Sequence, residues 1–371
     1  MAHYASNING YLVDASDIVI KNRSVALCED APKMVYGSMP IDDGHLILET
    51  NDEYDALVNE CKEADVLVRK YGGGQEIINN AFRRCLWLKG ASPAIIKKSK
   101  FVKDRIDKTK EFRASSNRPQ TKELANYPAL FGEIRQPNCR MLVIPKVSSE
   151  KRRYIPMDFV EPEVIINGSA LIISDADLYT FGILSSSVHN SWMRTVAGRM
   201  KSDYQYSNSV VYNNFVWPLV DAKQKNKIVV TAKEILKGRQ KFIECTLADL
   251  YDETSMPDEL RKAHLANDKA VLEAYGLKAS ASESEIVSHL MKLYVQKVAE
   301  VEKTEEVDNA VQKVLGKKAE TVPDWMQGLR QQCLDGTITP DELITQGKAR
   351  LKEEKKKVKE AEKEAAKAVQ K

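Results

Sequence analysis

The apolar run Met141–Ile144 (MLVI) limits the possible folds of this chain more than any other stretch. It lies between turn signals at Pro137-Asn138 and Pro145, and its β-rich composition predicts a buried strand. The surrounding segment, Phe131–Pro156, reads FGEIRQPNCRMLVIPKVSSEKRRYIP. A buried strand flanked by so many polar side chains implies a sheet whose loops carry the chemistry. Those flanks hold Arg135, Gln136, Asn138, Arg140, Lys146, Ser148, Ser149, Glu150, Lys151, Arg152 and Arg153.

Arg, Gln, Asn, Ser and Glu are the side chains that read base edges, and Lys and Arg also hold phosphates. A solvated hairpin with a basic tip would carry the same residues. The net charge of +3 is too small to announce a polyanion partner, but its distribution is uneven. Between Arg83 and Lys122 there are thirteen Lys or Arg against Asp104, Asp107 and Glu111. One strongly positive face is therefore expected. Its centre is the amphipathic stretch Ala94–Arg113, opened by Ser92-Pro93, with Lys98, Lys103 and Lys110 on its basic side. A solvated surface helix fits that pattern as well as a phosphate-facing one.

The rest of the chain reads as α+β material followed by helices. Short strands are expected at Tyr11–Val13, Ile18–Ile20, His45–Leu48, Val164–Ile166 and Ala170–Ile173. Asn167-Gly168 would close a tight hairpin between the last two. A helix is expected over Asp52–Lys62, and Gly72-Gly73-Gly74 reads as a flexible turn. Tyr179–Met200 has helical period, and His189 within it reads as a core residue. Lys201–Pro218 is dense in Tyr, Ser and Asn, as an adaptable recognition surface or an ordinary loop would be. From Asp221 onward helices are expected at Ala222–Phe242, Thr246–Tyr251, Pro257–Tyr275 and from about Ser284. Thr339-Pro340-Asp341-Glu342 is a capping box opening a charged, solvated final helix.

No catalytic constellation can be assembled. The chain has no GxxxxGK[ST], HExxH or GxSxG motif. Ser185, Ser186, Ser187 and His189 lack an orienting acid in the sequence pattern. Six scattered cysteines, none in a CxxC pair, argue against a zinc site or disulfide framework and for a reducing cytoplasm. No run approaches the ~20 apolar residues of a membrane helix, so a cytoplasmic protein with no membrane partner is expected.

The phrases Phe131–Pro137 (FGEIRQP), Ile144–Pro156 (IPKVSSEKRRYIP), Lys201–Ser207 (KSDYQYS) and Val211–Pro218 (VYNNFVWP) resemble the target-recognition domain of MmeI-like single-chain restriction–modification enzymes. Val35–Leu48, Cys85–Pro93, Leu247–Tyr251 and Met256–Tyr275 extend the resemblance over roughly residues 5–300. It implies a mixed α/β DNA target-recognition domain followed by an all-α helical domain, and with the charged helical tail read from composition the expected fold class is α+β. The expected divisions are 1–125, 126–219, 220–300 and 301–371, the last outside the resemblance.

The resemblance implies double-stranded DNA as partner and sequence-specific recognition on behalf of an adenine-N6 methyltransferase. The family's S-adenosylmethionine glycine motif and Asn-Pro-Pro-aromatic tetrapeptide have no match here, and no Pro-Pro pair occurs. No cofactor is therefore expected in this chain. S-adenosylmethionine would belong to a methyltransferase domain or subunit, with a nuclease as a further candidate partner. The expected base readers are Arg135, Asn138, Lys151, Arg152 and Arg153. Ser148, Ser149, Lys201, Tyr204, Tyr206, Asn213, Lys98, Lys103 and Lys110 are expected to touch the backbone or to orient readers. The alternative is a stand-alone or repurposed DNA-binding or interaction subunit with no methylation role.

Overall fold

The computed structural model describes residues 7–14, 17–316 and 321–369. Its central sheet is antiparallel, in the order Met34–Tyr36, Ala170–Ser174, Met141–Pro145, Asp158–Val160. The expected MLVI strand lies inside it, extended by Pro145, paired on both edges and buried at all five positions of Met141–Pro145. Five apolar residues in succession suit that place, because both faces of an interior strand are covered.

A second sheet runs Ile47–Leu48, Arg83–Leu86, Val68–Gly72, Val164–Ile166, with the last two strands parallel. The predicted hairpin at Asn167-Gly168 is therefore corrected: both strands exist, but they enter different sheets. Backbone replaces the missing hairpin partner, since Asn167 N–H donates to Gly72 O and Ser38 N–H to Ile166 O. The approach is close. A Cβ on Gly37 would lie 2.3 Å from the Asn167 carbonyl oxygen, and one on Gly73 would lie 2.0 Å from Ser169 Oγ. Gly72–Gly74 is accordingly no flexible turn, and Gly74 begins the helix Gly74–Ile78.

Two long helices expected from periodicity are broken in the structure. The basic stretch divides into Pro93–Lys98 and Lys100–Ser115 at Ser99, whose hydroxyl accepts from Val102 N–H and donates to Glu60. The second expected helix divides into Leu178–Leu184 and Ser187–Val196, the latter capped by Ser186, and ends in a strand at Gly198–Met200. Tyr11–Val13 and Ile18–Ile20 form no strands. The near segment makes a single bridge, Ile8 to Asp14. The chain from Lys21 to Leu27 is instead held along the Ser209–Asn214 segment by Asn213 and Asn214 side chains and by backbone bonds.

Helices Ala222–Gln240, Leu247–Leu250 and Asp258–Ala274 follow, as expected. The described residues form two compact units, 1–292 and 293–371. The second has its own apolar core of Val307, Val311, Val314, Met326, Cys333 and Leu343. Its final helix, Pro340–Val369, opens on the predicted Thr339–Glu342 capping box.

Candidate nucleic-acid interface

The third sheet is small and orders Gly198–Met200, Asp203–Gln205, Val147–Ser148. Its first two strands form a hairpin turning at Lys201-Ser202, with Lys201 in the left-handed region at φ +56°. Met200 and Lys201 are exposed, and the Arg199 guanidinium stacks 3.9 Å from the centre of the Tyr204 ring. Tyr204 pairs with Ser148, which brings the hairpin alongside the turn Ser149–Arg153. Inside that turn Arg152 N–H donates to Ser149 O and Lys151 N–H to Ser149 Oγ. Two segments about fifty residues apart in sequence thus present one surface carrying Lys151, Arg152, Arg153, Arg199 and Lys201.

A cleft of about 510 Å³ opens beside this surface, lined by Lys151, Arg152, Arg153, Arg194, Asp268 and Lys269 among others. The backbone after the turn is clamped. Arg194 donates to Arg153 O at 3.0 Å, and Ile155 N–H donates to the buried Asn190. The Tyr154 ring stacks on His264, 4.2 Å between centroids, while its hydroxyl donates to Asp268 at 2.7 Å. Desolvation pulls the Arg152 guanidinium below its ordinary pKa, with Asp203 and Asp252 opposing that shift. The Arg152 and Lys201 side chains make no hydrogen bond or ion pair with the described residues.

The other predicted readers lie elsewhere. Arg135 is half-buried, donates to Gly37 O and pairs with Glu133. Asn138 is exposed before the start of the Met141–Pro145 strand, and the Ser149–Arg153 turn follows its other end. At ~3.3 Å per residue the strand alone separates them by about 16 Å. Ser148 is buried within its strand, and Tyr204 lies beneath Arg199.

Two further residues expected to touch the backbone or orient readers are buried and bonded inside the fold. Tyr206 is 2% exposed with its hydroxyl against His189 Nε2 at 2.8 Å, and Asn213 is 5% exposed and donates to Arg23 O. Neither presents a group to a ligand. His189 is a core residue as predicted, kept neutral by burial with its pKa near 3. Lys98 pairs with Glu63 at 3.0 Å. Lys103 and Lys110 are exposed on the Lys100–Ser115 helix, but Asp104, Asp107 and Glu111 share that exposed side. Arg83, Arg105 and Arg113 are held by Glu49, Glu53 and backbone carbonyls respectively.

The sequence reading missed Arg194 and Arg199 because they fell on one presumed helix. The available signal was Lys201-Ser202, a polar pair between two short runs beginning after Gly198.

Residues 14–219 match the family model described as MmeI, target recognition domain, and residues 220–302 that described as MmeI, C-terminal domain. The chain belongs to the MmeI family. A curated relative, DNA methyltransferase A of Bacillus subtilis (strain 168), is 38% identical over 289 residues, which are 78% of this chain and 32% of that protein. A solved structure of the Type IIL restriction-modification enzyme MmeI in complex with DNA matches with a TM-score of 0.76 at 39% identity. That match covers 81% of this chain and 40% of the solved one. This chain thus corresponds to less than half the length of either relative. The two MmeI models meet just before Asp221, which caps the helix Ala222–Gln240. Most of the second compact unit lies outside both.

Proposed function

We propose that this chain selects the DNA site for an adenine-N6 methyltransferase of a restriction–modification system. The reading is carried by one observation: the Lys201 hairpin and the Lys151–Arg153 turn share a surface on which, among the described residues, Arg152 and Lys201 have no ion-pair partner, while Arg199 pairs with Glu150. A two-stranded ribbon of this kind fits the major groove, where Arg pairs with guanine through two hydrogen bonds. Arg152 and Arg153 are the base readers, with Lys151 beside them. Ser149 and Lys201 contact the backbone or orient the readers, and Lys103 and Lys110 add a phosphate contact. Asn138 would read at a second position along the duplex. Arg135, already bonded to Gly37 and Glu133, acts mainly by holding the fold. The DNA in the solved MmeI complex and the name of the Bacillus subtilis relative support this reading.

In this reading S-adenosylmethionine belongs to a methyltransferase domain or subunit. The one glycine run, Gly72–Gly74, is packed against Asn167, Ser169 and Pro145 and leaves no cradle for a cofactor. A base methylase must swing its target out of the stack. The proposed task of this chain is to hold and choose the duplex while a methyltransferase domain or subunit supplies the pocket.

The test is selection of bound duplexes from a randomised pool at two salt concentrations. One enriched motif, kept at the higher salt, is expected. Binding without a motif, lost at the higher salt, would reduce the chain to a phosphate-holding subunit.

A further inference from the structure

We propose that Asp268, in the helix that follows the recognition domain, is a positioning residue that fixes the Arg152-Arg153 turn relative to the Lys201 hairpin. The inference rests on the recognition reading above. Asp268 is 5% exposed, and its two carboxylate oxygens reach two different elements. One accepts from the Tyr154 hydroxyl at 2.7 Å, directly after Arg152-Arg153. The other accepts at 2.7 Å from the backbone N–H of Ser187, the first residue of the helix Ser187–Val196. That helix runs into the first hairpin strand, Gly198–Met200. One buried carboxylate therefore joins the root of the turn to the root of the hairpin.

Three features show that the arrangement does more than fill space. A carboxylate at a helix N-terminus is favoured by the peptide dipoles, so the Ser187 bond has a preferred direction. Arg194, on the same helix, donates to Arg153 O and pairs with Glu283, closing a second link around the turn. His264, one turn before Asp268, stacks on Tyr154 and fixes the angle at which the phenol meets the carboxylate. Base reading requires the two cation-bearing elements to keep a fixed separation, whereas phosphate attraction does not. Loss of this joint should therefore affect sequence preference before it affects general affinity.

The experiment uses the full chain as wild type, Asp268→Asn, Tyr154→Phe and the double variant. For each, affinity is measured for the selected duplex and for a scrambled duplex at one salt concentration. Thermal melting is recorded alongside, as is the rate of tryptic cleavage after Lys151, Arg152 and Arg153. Each single variant should lower the selected-to-scrambled ratio about tenfold, the scale of one lost hydrogen bond to a charged group. Affinity for the scrambled duplex should hold, cleavage at the turn should accelerate, and the double variant should be no worse than the poorer single one. An unchanged ratio, or both affinities falling together with the melting temperature, would overturn the proposal. If the wild type shows no preference, the recognition reading fails instead. Faster cleavage at the turn would then still support the joint, and unchanged cleavage would remove it.

Discussion

The basic region around Lys100–Ser115 and the small sheet around Lys201 both carry many cations, yet they use them in opposite ways. In the first, arginines are internal fasteners. Arg113 is fully buried and donates to the carbonyls of Pro40, Ile41, Leu124, Tyr127 and Leu130. Arg105 bonds His45 O and Ile47 O and pairs with Glu53. In the second, Arg152 and Lys201 have no such partners, although the segment contributes far less to any charge count. A cation count measures how much positive charge a segment holds, and burial and pairing decide how much of it a ligand can meet.

The sharpest way to break that contrast is Arg113→Ala. It would remove five hydrogen bonds to backbone carbonyls and leave a cavity at a fully buried side chain, although the Pro40, Leu124 and Tyr127 carbonyls each keep a backbone donor. The expected cost is about 3 kcal/mol of stability, measured by urea unfolding. Arg113→Lys should rescue little, because an ammonium cannot reproduce the planar five-donor fork. An unfolding midpoint unchanged by Arg113→Ala would mean that the arginine is no fastener.

The second expected effect is acid sensitivity beneath the recognition surface. His189 and His264 are fully buried, and desolvation holds both below their usual pKa, His189 near 3. Burial favours their neutral form in the folded chain, while in the unfolded chain they titrate near 6.5. Their stabilising effect is thus complete above pH ~6.5 and is lost as pH falls from there toward the folded-state values. At pH 5 His189 should cost about 2 kcal/mol relative to pH 7, with His264 adding a loss of the same sign, read from the urea midpoint at the two pH values. His189→Gln should flatten that dependence, and an equally steep dependence in the variant would rule this histidine out as its source.

Some of this architecture was legible in the sequence. Met141–Ile144 declared itself because a β-rich apolar run bounded by prolines has few alternatives to an interior strand. The cap at Thr339 was readable for a similar local reason: its partner lies three residues away. What failed was non-local. Asn167-Gly168 has hairpin chemistry, but the pairing of Tyr71 with Ile165 was invisible from either segment. The hairpin carrying Lys201 was hidden because Val188, Trp192 and Val196 set a helical spacing that Met200 continues past Ala197, where the backbone becomes extended. The second unit's core was masked by the Lys- and Glu-rich segments on either side of it, although Trp325, Met326 and Leu329 lie in a stretch, 321–341, that contains neither residue. Of the recognition surface, Lys151–Arg153 and Lys201 were named from sequence, but the geometry joining them was not.

The third prediction concerns the free cations themselves. Arg152→Ala should weaken binding of the selected duplex by about 1–3 kcal/mol and relax preference at one position, with melting unchanged. A matching loss on every duplex would recast Arg152 as a phosphate contact and narrow the contrast between the two regions.

The smallest effect tests the other side. Lys103 and Lys110 are exposed, but Asp104, Asp107 and Glu111 share their side of the helix, so the local potential is far weaker than the charge count suggests. A lysine neutralising a phosphate changes the salt slope of binding by about 0.9. For Lys103→Gln with Lys110→Gln the slope should therefore fall by clearly less than about twice that amount, with the selected motif intact. The measurement is the logarithm of affinity against that of salt, for wild type and the double variant on one duplex. A full loss of two contacts would show that DNA lies along this helix despite its acids, and that its basic side is a second binding surface.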